Sequence, residues 1–351
     1  MRFSWIDFVK GVGIIYFIFW HCSSYFYEPG LYAYPPTRFI HYATGMFVFL
    51  AGLLVGLHYL PQMKNNGSAR KIFIRLFIRG LKIIAMFFCG FLLKTFLTTR
   101  SLDLDGLVRI LTSTASLFYI HRWDIPLQIL FVIGLFLCAS PLLLLVGHSK
   151  QHTKLAIVGV GIGIVEFFLP SRIPYLWHYF ALGVFGAIAG FYLGNNQKWI
   201  HEKVGKYSGR IFAVVFLFTL PIQIATTLSQ DVYHLFLYGL LPNLTSISLN
   251  IILLGLPILA ILDLSTNKHP KLLAAISPLV LMGQSSLFVY ILQISILTVI
   301  SGAHLVTRGN SPTLPVFVSL AIAIVSLVSC YIVRELRKIP LFDKLYKAVF
   351  A

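Results

Sequence analysis

The sequence has 351 residues, of which 58% are hydrophobic and 11% are charged, and its mean hydropathy is +0.85. A soluble domain carries about a quarter charged residues, so this composition excludes a water-soluble globule and predicts an integral membrane protein. Lys and Arg outnumber Asp and Glu by 28 to 11. In so apolar a chain, this excess predicts basic cytoplasmic loops and contacts with membrane lipid headgroups, and excludes nucleic-acid binding.

Apolar stretches of membrane-spanning length, roughly 20 residues, recur along the whole chain. The first, at 8–26, is too long for the apolar part of a cleaved signal peptide and lacks a small-residue cleavage site, so we expect a membrane helix. We predict an all-α fold, a polytopic transmembrane helix bundle that forms a single domain over 1–351. The ten predicted spans are 8–27, 38–60, 74–97, 125–147, 154–169, 175–194, 211–229, 246–263, 278–302 and 313–333.

The charge of the loops predicts the orientation. With ten spans and a cytoplasmic N-terminus, 20 of the 28 basic residues are cytoplasmic and seven are on the outer side, as the positive-inside rule requires. The C-terminus is then also cytoplasmic, and 334–351 form a basic cytoplasmic tail. An eleventh span at 107–120 would place a basic cluster outside. The 98–124 segment is therefore predicted to be an outer loop with an interfacial or re-entrant helix, or a simple amphipathic connector.

The four cysteines lie in separate apolar runs, and no pair has metal-binding or redox spacing. Buried thiols usually act as small apolar packing groups, so we expect neither a disulfide framework nor a metal site. They are Cys22, Cys89, Cys138 and Cys330.

Three ionisable side chains stand out in the first predicted span. Asp7 and Lys10 are three residues apart and can pair along a helix. Lys10 and His21 lie within about 20° on one helical face, separated by about 16 Å along the axis. The alternative to a functional role is, for Lys10, that its side chain reaches to the membrane interface. For His21, the alternative is that it only packs against neighbouring side chains. A histidine is also well suited to take a proton from a hydroxyl near neutral pH, which makes His21 a candidate general base.

Four short segments follow one another in a characteristic order. The run IDFVKG at 6–11 is followed by His21, with ten residues between the basic residue and the histidine. The run TGMFVFLAG at 44–52 is rich in aromatic residues, and an arginine-rich run at 70–80 enters the third span. The run GQSSLFVY at 283–290 lies in the ninth.

These segments resemble the integral-membrane acyltransferase family 3, and Lys10 resembles its sugar O-acetyltransferase branch. They also resemble, more distantly, the related membrane acyltransferases that succinylate glucans or acetylate heparan. Two positions depart from the family pattern: Ala51 stands where serine is usual, and many members have a histidine near the position of Gln293. The second departure removes a possible second histidine.

The resemblance implies a membrane-bound O-acyltransferase in the bacterial cytoplasmic membrane. Such enzymes transfer an acyl group, usually acetyl from acetyl-CoA, to a hydroxyl of an envelope glycan or lipid-linked sugar, without a metal. His21 would be the general base or a transient acyl carrier, assisted by Asp7 and Lys10. Acyl-CoA phosphates would bind a cytoplasmic basic cluster. The alternative is that the charges of this cluster only set the orientation of the protein in the membrane. The cluster is Arg75, Arg79, Lys71 and Lys82, and the expected substrate contacts and oxyanion donors are Glu166, Tyr290, Ser285 and Gln284.

A transporter or flippase of a lipid-linked glycan is the alternative function, since it would need many spans and a cavity but no chemistry. Such proteins usually contain inverted repeats with interrupted helices at matching positions, and the two halves of this sequence show no such match. A channel or structural protein would leave Asp7, Lys10 and His21 without a role. The acceptor stays open among lipopolysaccharide, capsule, peptidoglycan and periplasmic glucan, as does acetyl against succinyl.

Overall fold

The computed structural model describes residues 4–27, 43–59, 69–99, 128–148, 175–195, 270–302 and 313–350, and a few single positions between them. These ranges are helical throughout, apart from short turns and one isolated bridge between Tyr27 and Gly309. The helices are α1 (Ser4–Phe26), α2 (Ala43–Leu54, continued by a π-helical turn, Val55–Tyr59), α3 (Ala69–Thr99), α4 (Gln128–His148), α5 (Tyr175–Asn195), α6 (Pro270–Gln284), α7 (Ser286–Gly302), α8 (Thr313–Leu336) and α9 (Pro340–Phe350).

The all-α class is confirmed for this part of the chain, and helices cover seven of the ten predicted spans. Four of them are long and apolar enough to cross a membrane, or five if α6 and α7 are counted as one bent span. The predicted spans at 211–229 and 246–263 lie outside the described residues, as does 154–169 apart from Gly161. Of the 98–124 loop, Val108, Leu111 and Thr112 are helical and exposed. The ten-span count and the cytoplasmic termini stay predictions.

The described helices fall into two compact units, one containing α1 and α6–α9 and the other containing α2–α5. In the second unit, α3 packs along α4, and α5 packs on the end of α2. Gly52 and Gly56 of α2 face the carbonyl oxygens of Gly183 and Ala187 in α5 so closely that a Cβ would overlap them. Small residues spaced by four are the usual means of close helix packing in membranes.

The first unit is built around α1, which packs against α6, α7 and α8. Glycines again bring the backbones together, because a Cβ at Gly11 of α1 would overlap the carbonyl oxygen of Leu279 in α6. A Cβ at Gly283 would likewise overlap the carbonyl oxygen of Asp7. Ile14 and Cys22 of α1 are fully buried in this packing. The arrangement fixes α1 against the helices that carry the other candidate site residues.

The ninth predicted span differs from expectation because it is broken rather than continuous. α6 and α7 meet at Ser285 with a bend of 76°. The Ser285 N–H donates to the carbonyls of both Leu281 and Met282, each at 3.2 Å, as is common at a helix end. Gly/Ser pairs are a recognised cause of sharp kinks, and Gly283 precedes the two serines here.

Candidate active site

His21 lies near the end of α1, beside two aromatic rings that also contact each other. Phe17, one turn earlier, stacks on the imidazole with ring centroids 5.8 Å apart and an interplanar angle of 14°. Tyr290 of α7 approaches the imidazole at 5.9 Å and the Phe17 ring at 5.3 Å. His21 is half-buried, whereas Tyr290 is buried. The rings restrict the orientation of the imidazole and leave part of it accessible.

Gln293 supplies the polar contact to the same histidine. Its amide Nε2 lies 3.5 Å from His21 Nδ1. Gln293 follows Tyr290 by three residues, which places both on one face of α7. The side chain is fully buried, and its Oε1 has no hydrogen-bond partner among the described residues. An unsatisfied buried acceptor is costly, and such groups often mark functional sites.

Asp7 and Lys10 form a separate pair near the other end of α1. The Lys10 ammonium lies 3.9 Å from an Asp7 carboxylate oxygen, so the predicted pairing is present as an ion pair. Asp7 is only 5% exposed. Because α1 is one uninterrupted helix, about 16 Å of axial rise separates Lys10 from His21. The pair therefore does not contact the His21 imidazole, and its catalytic role stays a prediction.

The other predicted substrate contacts separate in the structure. Tyr290 contacts His21, whereas Ser285 lies buried at the bend between α6 and α7. Gln284 is exposed. Glu166 lies outside the described residues. Of the three predicted oxyanion donors, Tyr290 is therefore the one placed beside the histidine.

The predicted donor-binding residues form a stripe along α3, in the second unit. Successive members of this set are four, four and three residues apart. On a helix, this spacing keeps them within an arc of about 80° around the axis and about 16 Å along it. All are exposed except the last, which is half-buried. Neighbouring guanidinium groups on one face are suited to clamp phosphate oxygens. This basic stripe comprises Lys71, Arg75, Arg79 and Lys82.

Phe17 and Gln293 are the contacts of His21 that the sequence does not single out as site residues. Their spacing in the sequence could have indicated them, because it places each on the same helical face as a predicted site residue. Phe17 precedes His21 by four residues, and Gln293 follows Tyr290 by three. The four cysteines are free thiols. Within the helices described above, no three His, Cys, Asp or Glu side chains come together as a metal site.

A comparison with curated proteins finds no match to this sequence. The family model of acyltransferase family 3, described as an acyltransferase domain, matches residues 3–335. The match takes in both compact units and the His21, Tyr290 and Gln293 cluster, and it ends in the last turn of α8. Because it covers nearly the whole sequence, the chain belongs to acyltransferase family 3.

Proposed function

We propose that this acyltransferase moves an acyl group, most often acetyl, from cytoplasmic acyl-CoA to a hydroxyl of an envelope glycan or lipid-linked sugar. Its proposed location is the bacterial cytoplasmic membrane. The observation that carries the proposal is the contact between a half-buried histidine, a buried tyrosine and a buried amide in a family of acyltransferases. This cluster contains a base, a hydroxyl donor and an orienting group, which are the parts that acyl transfer needs.

The proposed transfer begins when His21 takes the proton of the acceptor hydroxyl. The hydroxyl oxygen bonds to the thioester carbonyl carbon, and the Tyr290 hydroxyl donates to the oxyanion that forms. The carbon–sulfur bond then breaks, and the proton passes from His21 to the coenzyme A sulfur. Alternatively, His21 itself bonds to the acyl carbon, and coenzyme A leaves before the sugar attacks. Both routes yield an O-acyl sugar and coenzyme A.

Gln293 determines which imidazole nitrogen does this work. Its amide lies beside Nδ1, so the orientation of the amide sets which nitrogen carries the imidazole proton. When the amide oxygen faces Nδ1, it accepts the Nδ1 proton and leaves Nε2 as the basic nitrogen. When the amide nitrogen faces Nδ1, the proton resides on Nε2 instead. The amide nitrogen faces Nδ1 in the structure. We infer that the first orientation, reached by a rotation of the amide group by about 180°, is the reactive one, since its oxygen also accepts from the imidazolium formed during transfer.

Gln293→Leu is expected to slow acyl transfer by roughly 10²-fold, within the usual contribution of a general base and its orientation. In a His21→Ala background, the same change is expected to have no further effect, because Gln293 acts through the histidine. The comparison uses the single-turnover rates of the wild type, the two single variants and the double variant, each at the same level in the membrane. Thr298→Val is the matched control, because Thr298 is a buried polar residue of α7 that bonds to its own helix. Additive losses from the two changes would contradict the role.

Replacing Arg75 and Arg79 with glutamine is expected to raise KM for acetyl-CoA by about tenfold or more, since each charged hydrogen bond contributes about 1.5–3 kcal/mol. The rate at saturating donor is expected to change little. Arg70→Gln serves as the control, because Arg70 is exposed on the same helix but lies off the basic stripe. If all these variants have the wild-type KM for acetyl-CoA, the basic stripe does not bind the donor and only sets the orientation of the protein in the membrane.

One observation favours the transporter alternative. The bend at Ser285 breaks a membrane helix, and interrupted helices often form transporter binding sites. Inverted membrane vesicles supplied with radiolabelled acetyl-CoA separate the two functions. Acyl transfer predicts protein-dependent label in the extracted glycan. Label that stays in acetyl-CoA, with glycan export that changes on expression, would favour transport.

A further inference from the structure

The last helix, α9, follows α8 after a short turn and lies beyond the family match. Its inner face packs against another helix of the first unit, to which it belongs. Phe350 packs edge-on against Phe288 of α7 at 5.6 Å, and Tyr346 lies 5.0 Å from Phe350. Tyr346 is buried, and Arg337 lies over its ring at 4.6 Å. These contacts hold α9 against the start of α7.

A second apolar stripe on α9 has no such cover within the described structure. Leu341, Leu345 and Val349 are spaced by four residues and lie beside the inner face on the helical wheel. Their exposed fractions are 68%, 58% and 46%, and Ile339 in the preceding turn is 53% exposed. A contiguous exposed apolar row of this kind marks an interaction surface.

The remaining face of α9 and its preceding turn are basic. Residues 334–350 contain five Lys and Arg residues and two acidic residues. Asp343 is paired with Lys347 at 2.5 Å and with Arg337 at 2.9 Å. Hydrogen bonds from Lys347 and then Arg337 hold the pKa of Asp343 below its ordinary value. The carboxylate therefore stays charged at neutral pH and offsets one basic residue, but the excess of five basic over two acidic residues leaves the segment with a net positive charge.

We propose that α9 lies in the bilayer interface, with its exposed apolar stripe inserted between lipid chains and its basic residues on anionic phospholipid headgroups. An apolar stripe beside a lysine-rich face is typical of interfacial helices, and anionic headgroups attract basic segments beside a membrane span. α8, which leads into α9, exposes a row of large apolar side chains suited to lipid. They are Phe317, Leu320, Ile324 and Val328.

Spin labels on the full-length protein in lipid nanodiscs test this placement. The exposed Cys89 and half-buried Cys138 are replaced by alanine, and a label is placed at Leu345→Cys or, as the matched control on the charged face, at Lys344→Cys. In discs containing phosphatidylglycerol, the label at 345 is expected to collide with oxygen severalfold more often than with a water-soluble nickel chelate. The label at 344 is expected to show the opposite preference.

The lipid dependence tests the charge component. In phosphatidylcholine discs, or after Lys338→Gln and Lys344→Gln, the ratio of oxygen to nickel collisions at 345 is expected to fall severalfold. The proposal is overturned if the label at 345 reports water in both lipids, as a face covered by a soluble protein would. It is also overturned if the ratio is the same in both lipids. The readout needs no enzymatic activity, so it is independent of the proposed function.

Discussion

His21→Ala is expected to lower the rate of acyl transfer by about 10²–10⁴-fold, the usual contribution of a general base. His21→Gln is expected to be as slow, because glutamine keeps a polar group beside Phe17 and Tyr290 but has no basic nitrogen. The rates are those of label transfer from acetyl-CoA in membranes that contain equal amounts of each protein. Comparing the two variants distinguishes a chemical role of His21 from a packing role, because only His21→Ala removes the bulk of the side chain.

His58→Ala is the matched control for this prediction. His58 lies in the π-helical turn that follows α2, where its Nε2 is 3.0 Å from Gln62 Nε2. It is a histidine in an apolar segment outside the proposed site, so its loss is expected to change the rate less than twofold, within the ordinary effect of a change away from the site. If His21→Gln retains activity and only His21→Ala loses it, His21 is a packing residue and the mechanism is wrong.

Gly283→Ala is expected to destabilise the first unit by about 1–3 kcal/mol, the usual cost of overpacking. The added Cβ would overlap the Asp7 carbonyl oxygen. A rigid backbone atom cannot turn aside as a side chain can, so α6 would have to move away from α1. The change is measured as the thermal unfolding midpoint in detergent and as the amount of protein in the membrane.

Gly309→Ala controls for the loss of a glycine as such. A Cβ at Gly309 meets no atom within 4 Å, so the substitution is expected to change stability by less than about 0.5 kcal/mol. Gly309 keeps its backbone hydrogen bond to Phe26 O, at 3.1 Å, in either case. Equal unfolding midpoints for the two variants would show that the close approach of α1 and α6 is not a stabilising contact.

The first helix was largely predictable because its pattern is local. An apolar run sets its length, and a spacing of three residues brings Asp7 and Lys10 together. The same helical geometry limits the prediction, since the rise of α1 separates even Lys10, the nearer member of that pair, from His21 by about 16 Å. A linear motif that contains all three residues does not distinguish one site from two sites at opposite ends of a helix.

The partners of His21 were harder to predict because they are far away in sequence. Gln293 is separated from His21 by 272 residues, and their contact depends on how α7 packs against α1. The residue itself is visible as a polar group in an apolar helix and as a departure from the family pattern. Its role appears only when the imidazole is seen beside its amide.

The segment at 283–290 shows why a recognised motif does not give a site residue by residue. Neighbours along a helix point in different directions, and the bend at Ser285 adds a further change of direction. Tyr290 therefore contacts His21, Ser285 is buried at the bend, and Gln284 is exposed. Hydropathy averaged along the chain does not reveal the bend, because both halves are apolar.

The most direct test of the account is NMR of the envelope glycan from cells that carry the wild-type protein, His21→Gln or no protein. Acyl transfer through His21 predicts O-acyl signals with the wild type and their loss with His21→Gln at an equal membrane level. Normal acylation by the variant would contradict the role of His21. Absence of any O-acyl signal from the wild type, together with altered glycan export, would contradict the proposed acyl transfer to a glycan and favour a transporter.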